Sequence, residues 1–199
     1  MESIRVVEGT AVPLDRSDCD TDQIIPSDWL KRVERTGFGR GLFSEWRDDP
    51  GFVLNKDCYQ GATILVAGPN FGTGSSREHA VWALQDYGFE AVVSPRFADI
   101  FRTNCTKTGL LPVQVDPEVG RALMDAVVAD PTLQILIDVD NRTIRTADGK
   151  VDATFELDDF TRWRLLEGLD DIGLTLRHED EIDAHEADRQ PWLPTTASS

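Results

Sequence analysis

Short apolar runs alternate with amphipathic segments through the middle of the chain, and this alternation predicts its secondary structure. The apolar runs have the length of strands, and the segments between them have the length and polar faces of helices. In order, residues 62–67, 91–94 and 111–115 are predicted strands, and residues 78–87 and 97–106 are the helices between them. This βαβαβ order favours a parallel sheet flanked by helices. Open sheets of this kind bind ligands at the carboxyl ends of their strands.

The same patterns extend to both ends of the chain. Residues 4–12 are predicted to form one strand, and Asp116-Pro117 begins a helix that runs to about residue 130. Further strands are predicted near 133–139, 143–147 and 151–155, with the hairpin signal Asp148-Gly149 between the last two, followed by a closing helix at 157–166. Residues 1–177 are therefore predicted to form one domain. Residues 178–199, with their acidic run, are predicted to form a loosely ordered tail.

Residues 29–57 lack a clear period and are predicted to form a mobile surface loop with short helices. Turn-forming residues alternate there with basic ones: Arg32, Arg35, Gly37, Gly39, Arg40, Gly41, Arg47, Pro50 and Gly51. Loops of this length often carry function.

Composition narrows the functional classes. The chain has 199 residues, enough for one domain with its own core, and a formal charge of −16, which argues against binding of nucleic acid. No apolar run reaches the ~20 residues of a membrane span, and the first residues lack a signal segment, so a cytoplasmic protein without membrane contact is expected. Cys19, Cys58 and Cys105 are widely spaced and are interpreted as ordinary buried or half-buried thiols. Their spacing argues against a disulfide framework and against a metal site of this chain's own, so any metal would need ligands from another chain.

The candidate chemistry lies in the octapeptide Gly72-Thr73-Gly74-Ser75-Ser76-Arg77-Glu78-His79. It follows the predicted strand 62–67 and leads into the predicted helix 78–87. Backbone N–H groups at a helix N-terminus, two hydroxyls and a guanidinium together favour a carboxylate or phosphate ligand. The octapeptide lacks the lysine of a P-loop, the third small residue of a dinucleotide fingerprint and the glycine that follows the serine of a hydrolase elbow.

Residues 68–80 resemble the signature of the swivelling domain of the aconitase superfamily. Segments 20–26, 94–101, 104–105 and 109–112 fall in the order that this superfamily shows. The length of the chain and the loop residues 35–39 and 41–43 look most like the small-subunit family of bacterial 3-isopropylmalate dehydratase, with a likeness that extends to about residue 177. The resemblance implies an α/β, aconitase-like swivelling β/β/α domain with a mostly parallel sheet flanked by helices.

That resemblance also implies an activity. Enzymes of this family are hydro-lyases that interconvert 2-isopropylmalate and 3-isopropylmalate by dehydration and rehydration in leucine biosynthesis. It further implies that a [4Fe-4S] cluster is held by a large subunit, that this chain binds no cofactor itself, and that a heteromer of both subunits is needed for turnover. The small dicarboxylate substrate would bind between the two chains.

Site residues follow from the same resemblance. Ser75 resembles the family's base, which acts as an alkoxide, and Arg77 and the helix N-terminus would stabilise its charge. Ser76, Arg77 and Gly74 would bind a substrate carboxylate, and Asp22 resembles a residue that orients groups in the site. Each has a plainer alternative: Ser75 could be a helix cap, Arg77 a salt-bridge partner and Asp22 a turn residue.

Selectivity for the group carried by the substrate is expected in the loop that begins at Trp29. Leu30 and Val33 could form an apolar wall for an isopropyl group, whereas Lys31 or Arg32 could bind a further carboxylate. His79 is interpreted as a packing residue outside catalysis. Two alternative functions stay open: a sister hydro-lyase subunit acting on homoaconitate, citraconate or methylmalate, and a non-catalytic anion-binding subunit.

Overall fold

The computed structural model describes residues 1–31, 36–189 and 192. Its strands are β1 (Val6–Gly9), β2 (Ala11–Leu14), β3 (Ile64–Ala67), β4 (Ala91–Ser94), β5 (Leu111–Gln114), β6 (Ile135–Asp138), β7 (Thr143–Thr146) and β8 (Asp152–Thr154). Its helices are α1 (Thr21–Ile24), α2 (Ser44–Arg47), α3 (Glu78–Tyr87), α4 (Asp99–Thr108), α5 (Pro117–Ala129), α6 (Asp159–Glu167), α7 (Asp171–Leu176) and α8 (Glu179–Ala187). Short 3-10 helices occupy Ser27–Lys31, Phe38–Gly41, Val53–Asn55 and Asp57–Tyr59.

A parallel sheet with the strand order β2-β3-β4-β5 forms the centre of the fold. Every residue of β2, β3 and β4 is buried, as expected for strands covered on both faces. Helix α5 packs against β2, β3 and β4, and α3 packs against α4. The predicted βαβαβ region and its parallel sheet are confirmed, with α3 and β4 at their predicted bounds.

A second sheet is antiparallel and has the order β1-β6-β7-β8. The prediction of one strand over 4–12 is wrong, because the chain leaves this sheet after Gly9 and enters the parallel sheet at Ala11. Gly9 lies so close to Thr63 that a Cβ there would come within 2.2 Å of the threonine Oγ1. A continuous apolar run does not reveal such a change of sheet, since both halves bury side chains.

The region after Trp29 contributes to the core instead of forming a mobile surface loop, which corrects that prediction. Phe38, Leu42, Phe43, Phe52 and Leu54 are buried. An aromatic cluster anchors it: the rings of Phe43 and Trp46 stack at 5.3 Å, and the Arg16 guanidinium lies 4.1 Å from the Trp46 ring centre. The predicted short helices are present. Residues 32–35, which include Arg32 and Val33, lie outside the described residues.

Three helices end the described chain. Helix α6 closes the domain as predicted and buries Leu165, whereas α7 and α8 bury no side chain. The loose order of residues 178–199 stays a prediction, although residues 179–187 are helical. Among the described helices, none combines the length and apolar composition needed to cross a membrane.

Candidate active site

Three loops meet at the carboxyl ends of β2, β3 and β4, and backbone hydrogen bonds hold them together. The Gly72 N–H donates to the Cys19 carbonyl at 2.8 Å, and the Ala98 N–H donates to the Phe71 carbonyl at 3.0 Å. Residues that are far apart in sequence are thereby brought to one edge of the parallel sheet. This is the edge where open α/β sheets bind ligands.

Gly72 and Gly74 allow the chain to turn sharply after β3. Both have positive φ angles, +79° and +90°, which side-chain-bearing residues rarely adopt. A Cβ at Gly72 would also lie 2.2 Å from the Phe101 side chain. The two glycines thus let the loop pass over α4 and present the residues that follow.

Ser75 and Ser76 lie exposed just before α3. The N-cap of α3 is Arg77 and has no side-chain capping bond, so the alternative that Ser75 is a helix cap is wrong. The Ser75 backbone is fixed instead, because the Thr21 hydroxyl donates to its carbonyl at 3.0 Å. The Ser75 side chain is therefore held at the surface on an anchored backbone.

Arg77 and Asp22 form an ion pair between Nη1 and Oδ1. The Arg77 side chain is 18% exposed and that of Asp22 is 55% exposed. Asp22 lies in the first turn of α1, whose start is fixed by a reciprocal capping box between Asp20 and Gln23. The salt-bridge interpretation of Arg77 is thus confirmed, and its partner is the other charged residue predicted for the site.

A cavity of about 210 Å³ opens at this point. Its lining residues are Thr21, Gly72, Gly74, Ser75, Ser76, Arg77, Ala98, Asp99, Ile100 and Phe101. The motif supplies hydroxyls and a guanidinium, while Ala98, Ile100 and Phe101 form an apolar wall. Sequence reasoning missed this wall, although segment 94–101 was part of the resemblance and could have indicated it. The arrangement can hold a small anion that also has an apolar part.

Comparisons with known proteins give the family. Residues 1–118 match the model of the aconitase C-terminal domain, residues 121–159 the one described as LeuD_N, and residues 171–197 that of the C-terminal domain of the 3-isopropylmalate dehydratase small subunit. A 3-isopropylmalate dehydratase small subunit from Parafrankia sp. is 68% identical over 99% of this chain and 100% of its own length. One from Rubrobacter xylanophilus is 60% identical over 98% of both chains.

This chain belongs to the small-subunit family of 3-isopropylmalate dehydratase. Its fold agrees with a crystal structure of 3-isopropylmalate dehydratase from Methanocaldococcus jannaschii, with a TM-score of 0.68 and 25% identity. The match covers 91% of this chain and 99% of the archaeal one. The resemblance read from the sequence and the aconitase-like fold are both confirmed.

Within the dehydratase family fold, the structure brings together five of the six predicted site residues. Gly74, Ser75, Ser76 and Arg77 line the cavity, and Asp22 pairs with Arg77. Leu30 lies apart from them in the 3-10 helix Ser27–Lys31, half-buried and not among the lining residues that the structure describes. Its role as an apolar wall stays a prediction.

His79 and the cysteines lie outside the cavity lining. The His79 ring packs 5.3 Å from Phe38 and 4.7 Å from Trp82, as predicted. Cys19 and Cys105 are buried, but Cys58 is exposed, which corrects its expected burial. Cys58 lies in the 3-10 helix Asp57–Tyr59, which directs it outward while Tyr59 is buried.

The donors of this chain do not fit an iron–sulfur cluster. Burial raises the pKa of the Cys19 thiol to about 12 and also raises that of Cys105, so both are protonated at neutral pH and unsuited to bind iron. In residues 1–31, 36–189 and 192, no three His, Cys, Asp or Glu side chains converge on a metal-sized site.

Proposed function

We propose that this chain is the small subunit of a 3-isopropylmalate dehydratase of leucine biosynthesis, and that it supplies a serine base and a carboxylate-binding arginine to a site that the large subunit completes. One observation carries the proposal: Ser75 and Ser76 are presented on a fixed backbone beside Arg77 in one cavity. Full-length identity to dehydratase small subunits supports the substrate class.

Binding of the diacid is assigned to Arg77 and the hydroxyl of Ser76. A guanidinium has five N–H donors, and the ion pair of Arg77 with Asp22 engages one end of it. The remaining donors can bind a substrate carboxylate through two parallel bonds. Low exposure of the Arg77 side chain strengthens that attraction, because less water competes with it.

Proton transfer is assigned to Ser75. Its oxygen, as an alkoxide, takes a proton from the carbon next to a carboxylate, and the C–H electron pair forms the new double bond as hydroxide leaves the neighbouring carbon. In rehydration, water adds its oxygen to the first carbon, and the Ser75 hydroxyl returns a proton to the second. The guanidinium of Arg77 stabilises the alkoxide between these steps. The [4Fe-4S] cluster expected on the large subunit does not fit the donors of this chain, and no step of Ser75 or Arg77 depends on it.

The test is anaerobic reconstitution with the large subunit encoded nearest to this chain, with 2-isopropylmalate as substrate and the unsaturated intermediate followed by ultraviolet absorbance. Ser75→Ala is expected to lower turnover by about 10²–10⁴-fold, the usual contribution of a general base. Its affinity for the large subunit should stay unchanged. The exposed and remote Ser3→Ala serves as the matched control.

Two outcomes would contradict the proposal. Turnover by Ser75→Ala at the wild-type rate would remove the base role and favour an anion-binding subunit. Turnover of citraconate or homoaconitate in preference to 2-isopropylmalate would assign the complex to a sister hydro-lyase.

A further inference from the structure

Helices α6 and α7 present large apolar side chains to solvent. Ile172 and Leu176, four residues apart on α7, are 71% and 57% exposed, and Phe160 on α6 is exposed as well. Trp163 is half-buried and its ring lies 5.9 Å from that of Phe160. We name these four residues the α6–α7 patch. A group of large exposed apolar residues is unusual on a single soluble chain and marks an interaction surface.

Ion pairs and ring contacts hold α6 and α7 side by side. Arg164 of α6 pairs with Asp171 of α7 at 2.9 Å, and the Arg177 guanidinium lies 5.1 Å from the centre of the Trp163 ring. The patch therefore has a defined shape even though α7 buries none of its own side chains. Burial within this chain does not explain the apolar residues of α7.

The surface of α4 connects the patch with the candidate active site. Ile100, in the first turn of α4, lines the cavity and is exposed. At the other end of the helix, Lys107 pairs with Asp171 of α7 at 3.3 Å. The 10 residues of α4 span about 15 Å, so one partner that covers the cavity can continue along α4 to the patch.

The charges around the patch favour a basic partner surface. Helix α8 follows α7 directly and carries Glu179, Asp180, Glu181, Asp183 and Glu186, all exposed. An apolar centre beside an acidic rim is complementary to an apolar surface rimmed by Lys and Arg.

We propose that the α6–α7 patch is a docking surface for the large subunit of the dehydratase. The patch lies on the surface that continues from the half-site, and α7 and α8 lie beyond residue 118, where the match to the aconitase C-terminal domain ends. This inference rests on the proposed function only for the identity of the partner. The large subunit is expected to bury Ile172 and Leu176 and to place basic residues against α8.

The test measures binding of the large subunit to the full chain by calorimetry under anaerobic conditions. Ile172→Asp combined with Leu176→Asp is expected to weaken binding by about 30-fold or more, as for central interface residues. Val128→Asp is the matched control, because Val128 is 58% exposed on α5 and should leave the dissociation constant unchanged. Thermal unfolding of each variant checks that the fold is kept.

Hydrogen–deuterium exchange of the wild-type chain gives a readout that does not depend on variants. Peptides from α6 and α7 should exchange more slowly when the large subunit is added, and those from the hairpin of β7 and β8 should not. Wild-type affinity of the double variant, or unprotected α6 and α7 peptides in the complex, would overturn the docking surface.

Sedimentation of the isolated chain separates the remaining occupant, a second copy. A wild-type dimer that the double variant breaks, together with unchanged binding of the large subunit, would assign the patch to self-association and overturn the proposal. Ser75→Ala should bind the large subunit normally while losing turnover, so a failure of catalysis and a failure of docking give different results.

Discussion

Arg77 is the residue on which the candidate site depends most, because it connects the helix α3 with the loop after β2. Its ion pair with Asp22 orients the guanidinium, and its side chain is mostly shielded from water. The two serines that precede it have no such anchor on their side chains, so their positions relative to a bound diacid depend on the backbone. At the residue scale, the Asp22–Arg77 pair is the feature that can be tested most directly.

Asp22→Asn should lower kcat/KM for the diacid by about 10–100-fold, because a hydrogen bond to a charged group is worth about 1.5–3 kcal/mol. Asn keeps the shape and one hydrogen bond but loses the charge that orients Arg77. Steady-state kinetics of the reconstituted enzyme, with kcat and KM separated, is the measurement.

Asp28→Asn is the control, since Asp28 is exposed and pairs only with Lys31 on its own 3-10 helix. If Asp22 acts through Arg77, the losses from Asp22→Asn and Arg77→Lys should not add in the double variant. Additive losses would show that the two residues act separately.

Helix α6 illustrates how local capping positions a functional element. Its N-cap, Asp158, accepts a hydrogen bond from the Thr161 N–H at 2.9 Å. This bond lowers the pKa of the Asp158 carboxyl. Since α6 carries half of the α6–α7 patch, its stability bears on partner binding as well as on folding.

Asp158→Ala is expected to reduce the free energy of unfolding by about 1 kcal/mol at pH 7. A carboxyl with a lowered folded pKa stabilises above its unfolded pKa of about 3.9, and this contribution is lost as pH falls through the folded value. The difference between variant and wild type should therefore shrink below about pH 4. Urea unfolding at pH 7 and pH 3 measures both quantities.

Asp116→Ala is the matched control for this element. Asp116 is the N-cap of α5, but its side chain makes no capping bond. Its replacement should cost clearly less than that of Asp158 at pH 7. Equal losses would mean that the Thr161 bond does not stabilise α6.

The whole molecule carries 36 acidic and 20 basic residues. A formal charge of −16 on one domain produces self-repulsion that favours the unfolded chain. Ion pairs such as Arg121 with Asp15 and Asp125 oppose it locally, but they are exposed and contribute little.

Raising ionic strength from about 0.01 to 0.15 M shortens the screening length from about 30 to 8 Å and should stabilise the isolated chain. A gain of about 1 kcal/mol corresponds to a rise of about 2–4 °C in the melting temperature at this chain length. Calorimetry in sodium chloride measures it. Choline chloride is the control for specific sodium binding, and a melting temperature that falls with salt would show that the ion pairs outweigh the repulsion.

Much of the central architecture could be predicted from the sequence because its signals are local. Helix α3 and strand β4 have strong periods and clear ends, with Gly88 in a left-handed conformation closing α3. The octapeptide 72–79 was recognisable because its glycines, hydroxyls and arginine are adjacent. The error at 4–12 arose where two strands of different sheets are contiguous and equally apolar.

The sequence by itself determined the family, the parallel βαβαβ core and the motif Gly72–His79, because these depend on periodicity and on residues next to one another. Only the tertiary structure decided that Asp22 is the ion-pair partner of Arg77, that Ala98, Ile100 and Phe101 wall the cavity, and that Leu30 lies apart from that lining. It also decided that the apolar side chains of α7 face solvent. These facts depend on contacts between distant segments, and a linear pattern cannot specify which of several compatible surfaces a side chain meets.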